Sequence, residues 1–384
     1  MKICHLTSVH SYTDTRIFIK ECRSLAESGY EVHFVVPGAS DSIIEDVQVH
    51  GVIKETGNRL KRMTKTVNKV FQKGLEVDAD IYHFHDPELI PVGLKLKKAG
   101  KKVIYDVHED VPRQILTKEW LPIYVRRLVS KLFEQFENRA ARKFDAILAA
   151  TPHIRDRFLR LRCKAQDINN YPLLEELKIK SSAWAGKENA ICYVGGITIV
   201  RGISEMVKAL SLTDNIHMLL GGRFAVSAER ELVTRLNGWT KVKELGYLSR
   251  DEVKEVYQKS KVGLVVLHPT LNYVDALPVK MFEYMAAGIP VIASDFPLWK
   301  GIIEKNECGI CVDPLKPEQI AFAVQWLIDH PKEAERMGKN GRKAIEAEYN
   351  WENESKKLIA AYKSLSDKKD IKGVHYENSN ARSI

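Results

Sequence analysis

No stretch of the 384-residue chain carries the ~18–20 consecutive apolar residues that a membrane-spanning helix needs. The opening MKICHLTSVHS enters a short strand-like segment and then turns polar. It lacks the longer apolar core and small-residue cleavage site of a secretion signal. Cysteine is scarce and scattered (Cys4, Cys22, Cys163, Cys192, Cys308, Cys311). Cys308 and Cys311 form a CxxC inside the strand-like ECGICVD with no second pair nearby, so they are read as buried thiols rather than a metal or redox pair. These absences together point to the cytoplasm. The first loop, SVHSYTDTRIFIKE (8–21), has no Gly-x-Gly-x-x-Gly, which counts against a dinucleotide dehydrogenase. No nucleic-acid-binding motif accompanies the basic charge, so nucleic acid is not an expected partner.

What is present is an alternation of short apolar runs with helical stretches. The first half contains strand-like runs at 3–6, 32–36, 81–84, 103–107 and 146–149; the second contains them at 191–194, 217–220, 242–245, 262–267, 290–293 and 309–312. Runs apolar at consecutive positions and separated by helices predict parallel sheets covered on both faces. Two such units predict two Rossmann-like, doubly wound α/β domains. The polar segment after Tyr171–Pro172 sets the boundary, giving domains at 1–185 and 186–349. A helix near 350–366 is expected to pack back on the first domain, and a polar tail, 367–384, to be disordered.

The chemistry concentrates where strands end, because ligands of open α/β sheets bind at the carboxyl ends of strands and at helix N-termini. In NYVDALPVKMFEYMAAGIPVIAS (272–294), Leu277–Pro278 opens a helix that Gly288 ends. Asp275 and Glu283 there can accept hydrogen bonds from sugar and ribose hydroxyls; the plainer alternative is an amphipathic helix with one solvated glutamate. In YVGGITIVRG (193–202), Gly195 and Gly196 let the backbone approach a ligand. Arg201 can hold a diphosphate, and Lys280 can supply a second cation at the same cleft. Loop 8–21 offers His10, Asp14 and Arg16, with Asp14 also suited to capping the following helix. His108 ends the strand 103–107. His85 ends the strand 81–84, where Asp86 before Pro87 has the form of a helix cap. Asp78 and Asp80 form a DxD, but it precedes its strand and so lies away from the cleft; no metal and no cofactor are expected.

The segment 272–294 resembles the E-x7-E region of the GT4 family (glycosyltransferase family 4) of retaining glycosyltransferases, whose fold is GT-B. It matches the branch reading LP-x-K-x-F-E-Y-M, with Asp275 in place of the first glutamate. Residues 193–202 are similar to the family's G-R-L-x-x-x-K-G, with Gly196 and Arg201 at the two basic positions. Loop 8–21 is similar to a branch reading H-x-x-x-D-x-R-I-F. The resemblance implies transfer of a sugar from a nucleoside-diphosphate donor, a UDP-sugar, to an acceptor hydroxyl with retention. Glu283 would bind the donor ribose, Asp275 and His108 the transferred sugar, and Ala276 and Leu277 would line the donor site beside Gly195, Gly196, Arg201 and Lys280. His10, Asp14, Arg16 and His85 would face the acceptor. Alternatives are a nucleotide-sugar epimerase of the same fold and a non-catalytic basic membrane-surface protein.

Charge is unevenly placed. Residues 54–73 carry a net +6 and residues 113–164 a net +8, together +14, while the whole chain is +9, so the remainder is −5. The segment 60–71 has helical apolar spacing among basic residues, and Trp120 to Tyr124 is followed by Arg126 and Arg127. Both read as surfaces for an anionic membrane, placing the protein peripherally on the inner face of the cell membrane with a glycan or lipid-linked acceptor. The alternative for 60–71 is packing of its apolar face on its own domain.

Overall fold

The computed structural model describes residues 1–55, 62–118, 120–175 and 184–366. The tail expected for 367–384, and part of the boundary segment, lie outside the described residues. The first half builds one sheet from β1 (Lys2–Leu6), β2 (Glu31–Pro37), β3 (Ser42–Ile44), β4 (Val47–Val52), β5 (Ile81–Phe84), β6 (Lys102–Val107), β7 (Ala146–Ala149) and β8 (Ala165–Asp167), in the order β3-β4-β2-β1-β5-β6-β7-β8. The second half builds another from β9 (Ala190–Val194), β10 (His217–Gly221), β11 (Val242–Gly246), β12 (Val262–Val265), β13 (Val291–Ser294) and β14 (Gly309–Val312), in the order β11-β10-β9-β12-β13-β14. All pairings are parallel except β3 with β4.

Each sheet is apolar on both faces because helices cover both. On β1, Ile3 packs into one core, with Phe34, Leu148 and the helix residues Ile17 and Cys22; Cys4 and Leu6 enter the other, with Tyr82, Phe84 and Tyr105. In the second sheet, Ile191 and Tyr193 enter one core and Cys192 the other. Five of the six cysteines are buried thiols, and Cys311 is half-buried.

The last helix, Trp351–Ser366, returns to the first sheet, where Trp351, Leu358 and Tyr362 join the core around Ile3. Its start is tied to the segment between the sheets: Trp351 N–H donates to Pro172 O at 2.9 Å, and Glu354 accepts from Asn169 N–H at 2.8 Å.

The basic helix near 60–71 corrects one expectation. Val67 and Val70, in the helix Val67–Val77, are buried in the first domain's core, and Phe71 packs against it. Its stripe from Val67 onward therefore packs on its own domain, while Met63 is 42% exposed; the part at 56–61 lies outside the described residues. The segment after Trp120 behaves differently. On the helix Ile123–Ala141, Tyr124, Leu128, Leu132 and Phe136 lie on one face, exposed by 73, 59, 56 and 40%. Trp120 is 74% exposed beside them. No helix among the described residues is long and apolar enough to cross a membrane.

Candidate functional site

Because the strands within each sheet are parallel, their carboxyl ends share one edge, and the two such edges border a cavity of about 400 Å³. From the first sheet come His10, Asp14, His108 and His153; from the second come Tyr273, Asp275, Ala276 and Leu277.

The loop after β1 presents His10 and Asp14. Asp14 caps the π-helical turn Thr15–Cys22: Oδ1 accepts from the N–H groups of Arg16 and Ile17, each at 2.9 Å, while Oδ2 meets His10 Nδ1 at 2.9 Å. Burial works against charge on both partners, but the shared hydrogen bond together with the neighbouring charges, and for Asp14 the Ile17 N–H, outweighs it, lowering the Asp14 carboxyl and raising the His10 imidazole. The loop is pinned from behind by Asp86. Its Oδ2 accepts from Thr7 O–H at 2.7 Å and Ser8 N–H at 2.6 Å. Asp86 does not cap its own short helix, Pro87–Leu89, as expected, since its carboxylate is committed to β1's loop.

His108 leaves β6 into the cavity, with Nε2 2.8 Å from Asp106 Oδ2. Two neighbours depart from their expected place. Arg16 borders the cavity, but its guanidinium is buried: it donates to Asp106 at 2.8 and 3.1 Å and to Ile168 O at 2.8 Å, and lies 3.2 Å from Glu21. It builds the wall and presents no charge to an acceptor. His85 is buried behind His108, with Nδ1 3.1 Å from Asp106 Oδ2, and does not line the cavity.

Across the cleft, Asp275 is half-exposed, and its Oδ2 lies 3.4 Å from His153 Nδ1 of the first domain. His153 follows β7 at the start of the helix Pro152–Arg160. Sequence reasoning missed it, although the strand-end rule applied to His108 fits Thr151–Pro152–His153 equally. The Ala276 carbonyl accepts from Trp299 Nε1–H at 2.6 Å, fixing the loop ahead of the helix Val279–Ala286.

Behind that loop lies a second group. Gly195 has φ +137° and Gly202 φ +83°, and a Cβ at Gly202 would meet Val266 O at 2.0 Å. Only glycine permits this backbone. The loop brings Arg201 to Gly196 O at 3.1 Å and sets Gly195 against Lys280, whose Nζ would lie 3.2 Å from a Cβ there. Lys280 Nζ is buried over the Tyr193 ring, 3.6 Å from its centre, with no hydrogen-bond partner. Burial, then the charge of Arg201, lowers its pKa well below the usual lysine range. Glu283 sits one turn further on. Its oxygens are engaged by Arg250 and Tyr257 O–H, each at 2.9 Å, so it stands in the wall and not among the residues lining the cavity.

The fold thus gathers His10, Asp14, Arg16, His108, Asp275, Ala276 and Leu277 around one cavity, and sets Lys280 beside Gly195 and Arg201 beside Gly196. Among the described residues, His5, Glu21, His83 and His85, and likewise His85, Asp106 and His108, have donor atoms within 4.8 Å of one another, as a cation site would require. The nitrogens of His5 and His85 are instead engaged in hydrogen bonds. The expected decoy, Asp78 and Asp80, lies at the opposite end of β5: Asp78 accepts from Lys101, and Asp80 from Lys2 N–H.

Residues 175–344 match the family of glycosyl transferases group 1, and residues 16–169 match glycosyltransferase family 4. The chain is 24% identical to the MMP alpha-(1->4)-mannosyltransferase of Mycolicibacterium hassiacum, over 75% of this chain and 71% of that one. It is also 24% identical to the D-rhamnosyltransferase WbpZ of Pseudomonas aeruginosa, over 72% and 71%. Among solved structures, sucrose-phosphate synthase from Thermosynechococcus elongatus superposes with a TM-score of 0.77 at 19% identity, covering 95% of this chain and 98% of that one. HepE from Anabaena, solved with UDP-glucose, gives 0.72 at 16% identity, covering 95% and 100%. With two Rossmann-like domains and family matches that together run through nearly all of 16–344, the chain belongs to the GT4-type glycosyltransferases of GT-B fold.

Proposed function

We propose that the enzyme transfers a sugar from a nucleoside-diphosphate sugar, a UDP-sugar, to an acceptor hydroxyl with retention at the anomeric carbon. The observation that carries this is Lys280: a buried amine with no hydrogen-bond partner, beside Arg201 and a glycine loop. A diphosphate would satisfy both cations, and the charge that builds on it as the glycosidic bond breaks would be stabilised there without reorganisation. His108 and Asp275 contact the transferred sugar and His10 with Asp14 the acceptor side; Glu283 takes the ribose from the wall, where Arg250 and Tyr257 hold its carboxylate in the free protein. No side chain is assigned as a covalent nucleophile; attack on the same face as the departing diphosphate fits this arrangement, and the Arg201–Lys280 pair replaces a metal.

The acceptor is a lipid-linked or polysaccharide intermediate reached from an anionic membrane. The exposed face Tyr124–Leu128–Leu132–Phe136, flanked by exposed Arg127 and Lys131, supports this. Aromatic and basic groups along one apolar helix face suit an interfacial position.

The test is a screen of nucleotide sugars by thermal shift, followed by turnover with and without candidate lipid-linked acceptors. Donor consumption that depends on acceptor, with the product retaining the donor's anomeric configuration, is the expected result. Donor conversion without acceptor would indicate an epimerase. No shift with any nucleoside diphosphate would overturn the reading.

A further inference from the structure

The first sheet buries a line of polar rings where apolar side chains would otherwise pack. His83 Nδ1 lies 2.8 Å from Tyr362 Oη, and Tyr362 Oη 3.2 Å from His5 Nε2. His5 Nδ1 lies 2.9 Å from His85 Nε2, and His85 Nδ1 3.1 Å from Asp106 Oδ2. His108 Nε2 meets the same oxygen at 2.8 Å. His5, His83, His85, Asp106 and Tyr362 are all buried; His108 alone reaches the cleft.

One group orients the whole line. Burial acts to raise the Asp106 carboxyl, but Arg16 and the adjacent imidazoles outweigh it and hold it ionised. A carboxylate only accepts hydrogen bonds. His85 therefore donates from Nδ1 and must accept at Nε2, so His5 donates from Nδ1 and accepts at Nε2 from Tyr362 O–H. Tyr362 in turn accepts from His83 Nδ1–H. His5, His83 and His85 are each a neutral single tautomer, consistent with burial lowering their pKa. His108 Nε2 lies 3.2 Å from His85 Nδ1, which already donates to Asp106, and only 2.8 Å from the Asp106 oxygen; the nearer carboxylate takes the Nε2–H and leaves Nδ1 as the ring's bare nitrogen.

We propose that Asp106, backed by the His85–His5–Tyr362 line, is a positioning residue that holds His108 as its Nε2–H tautomer, so that Nδ1 accepts a hydrogen bond from a hydroxyl of the bound sugar. The identity of that hydroxyl rests on the transferase reading; the tautomer does not. Tyr362 belongs to the returning helix Trp351–Ser366, so the line is complete only when that helix is docked on the first sheet.

Asp106→Asn tests this with little risk to the fold. Glu21 is kept neutral by burial and by the charge of Asp106, and it sits 3.2 Å from Arg16. With Asp106 neutralised, one of the influences that raise the Glu21 carboxyl is gone, and Glu21 is placed to balance Arg16 in its stead. Histidine-selective 15N spectra of the full chain, with His108 assigned through His108→Gln, are expected to show a single Nε2–H tautomer in the wild type and its loss in Asp106→Asn. Removing such a supporting group is expected to lower kcat about ten- to a hundredfold, with UDP affinity unchanged. A wild-type His108 protonated at Nδ1 overturns the proposal, even if the variant does not fold. An unaltered tautomer in the folded variant, or a kcat within twofold of wild type, also overturns it. Absence of any UDP binding by the wild type would instead remove the transferase reading and leave the spectra to decide the tautomer.

Discussion

Lys280→Met separates binding from stability, because the two are expected to move in opposite directions. In the free enzyme the Lys280 amine is buried beside Arg201 and over the Tyr193 ring, with no hydrogen-bond partner. An unsatisfied buried polar group costs about 1–3 kcal/mol, of which a desolvated cation–ring contact returns about 0.5–2 kcal/mol. Methionine keeps the length and the apolar packing and removes the charge. The variant without ligand should therefore melt no lower than wild type. The sign also has a pH dependence. Because the folded-state pKa of Lys280 lies below its ordinary value of 10.5, the unfolded chain binds the extra proton between the two values. Wild-type stability should rise with pH through that window, and the variant should lose this component. With UDP the balance reverses: one charge-assisted hydrogen bond to the diphosphate is worth about 1.5–3 kcal/mol, so affinity should fall about 10- to 150-fold. Calorimetric titration with UDP and thermal melts with and without UDP measure both. A variant that binds UDP within threefold of wild type, or whose ligand-free form is markedly less stable, would refute the assignment of Lys280 as an anion-binding cation.

Four further outcomes are expected. Glu283→Gln should weaken UDP and the UDP-sugar alike, by about tenfold for the loss of a charged acceptor, because ribose is common to both; unchanged UDP affinity in a titration would exclude the ribose contact. Transfer activity should survive EDTA, since Arg201 and Lys280 hold the diphosphate; activity abolished by EDTA and restored by magnesium or manganese would show a metal in that role. The fold should be acid-labile. Burial lowers His85 from its ordinary 6.5 to about 4, so the unfolded chain takes up a proton across that window while the folded chain does not. Stability should then fall by about 3 kcal/mol from this residue as pH drops from 6.5 towards 4, with His5 and His83 adding in the same direction; melting temperatures that stay flat between pH 7 and 4 would contradict this. The protein should co-sediment with anionic vesicles at low salt and dissociate at high salt, each basic residue near the surface adding about 1 kcal/mol. Leu128→Gln with Leu132→Gln should abolish this, whereas a wild type that stays in the supernatant would leave the exposed helix face to another partner.

Local signals in the sequence located most of the scaffold. Strands buried on both faces are apolar at consecutive positions, so β1, β2, β5, β6, β7, β9, β10, β12 and β13 stand out within a residue or two. Gly29 and Gly288 mark helix ends, with φ of +85° and +70°. The strands that escaped notice are edge-side pieces. β3 is three residues long and β4 alternates apolar with polar residues, and their turn passes through Glu45 and Asp46, both at positive φ and neither a glycine, so the usual hairpin signal is missing. β8 is three residues long and half-buried, too short to carry a pattern.

The site divides along the same line. Position relative to a strand's end follows from the chain alone, and it pointed to His10, Asp14, His108 and Asp275, which line the cavity. What each side chain does there depends on partners far away in sequence. Arg16 and His85 are drawn inward because Asp106, 90 and 21 residues away, is a buried carboxylate that needs their donors. Asp86 is diverted from capping its own helix by Thr7 and Ser8, 78 or more residues earlier. The apolar stripe at Val67 and Val70 looks the same in sequence whether it meets a membrane or a core; only the packing around Leu6 and Tyr82 decides it. Composition and periodicity record what a segment can bury or donate, and the long-range contacts of the folded chain select which partner receives it.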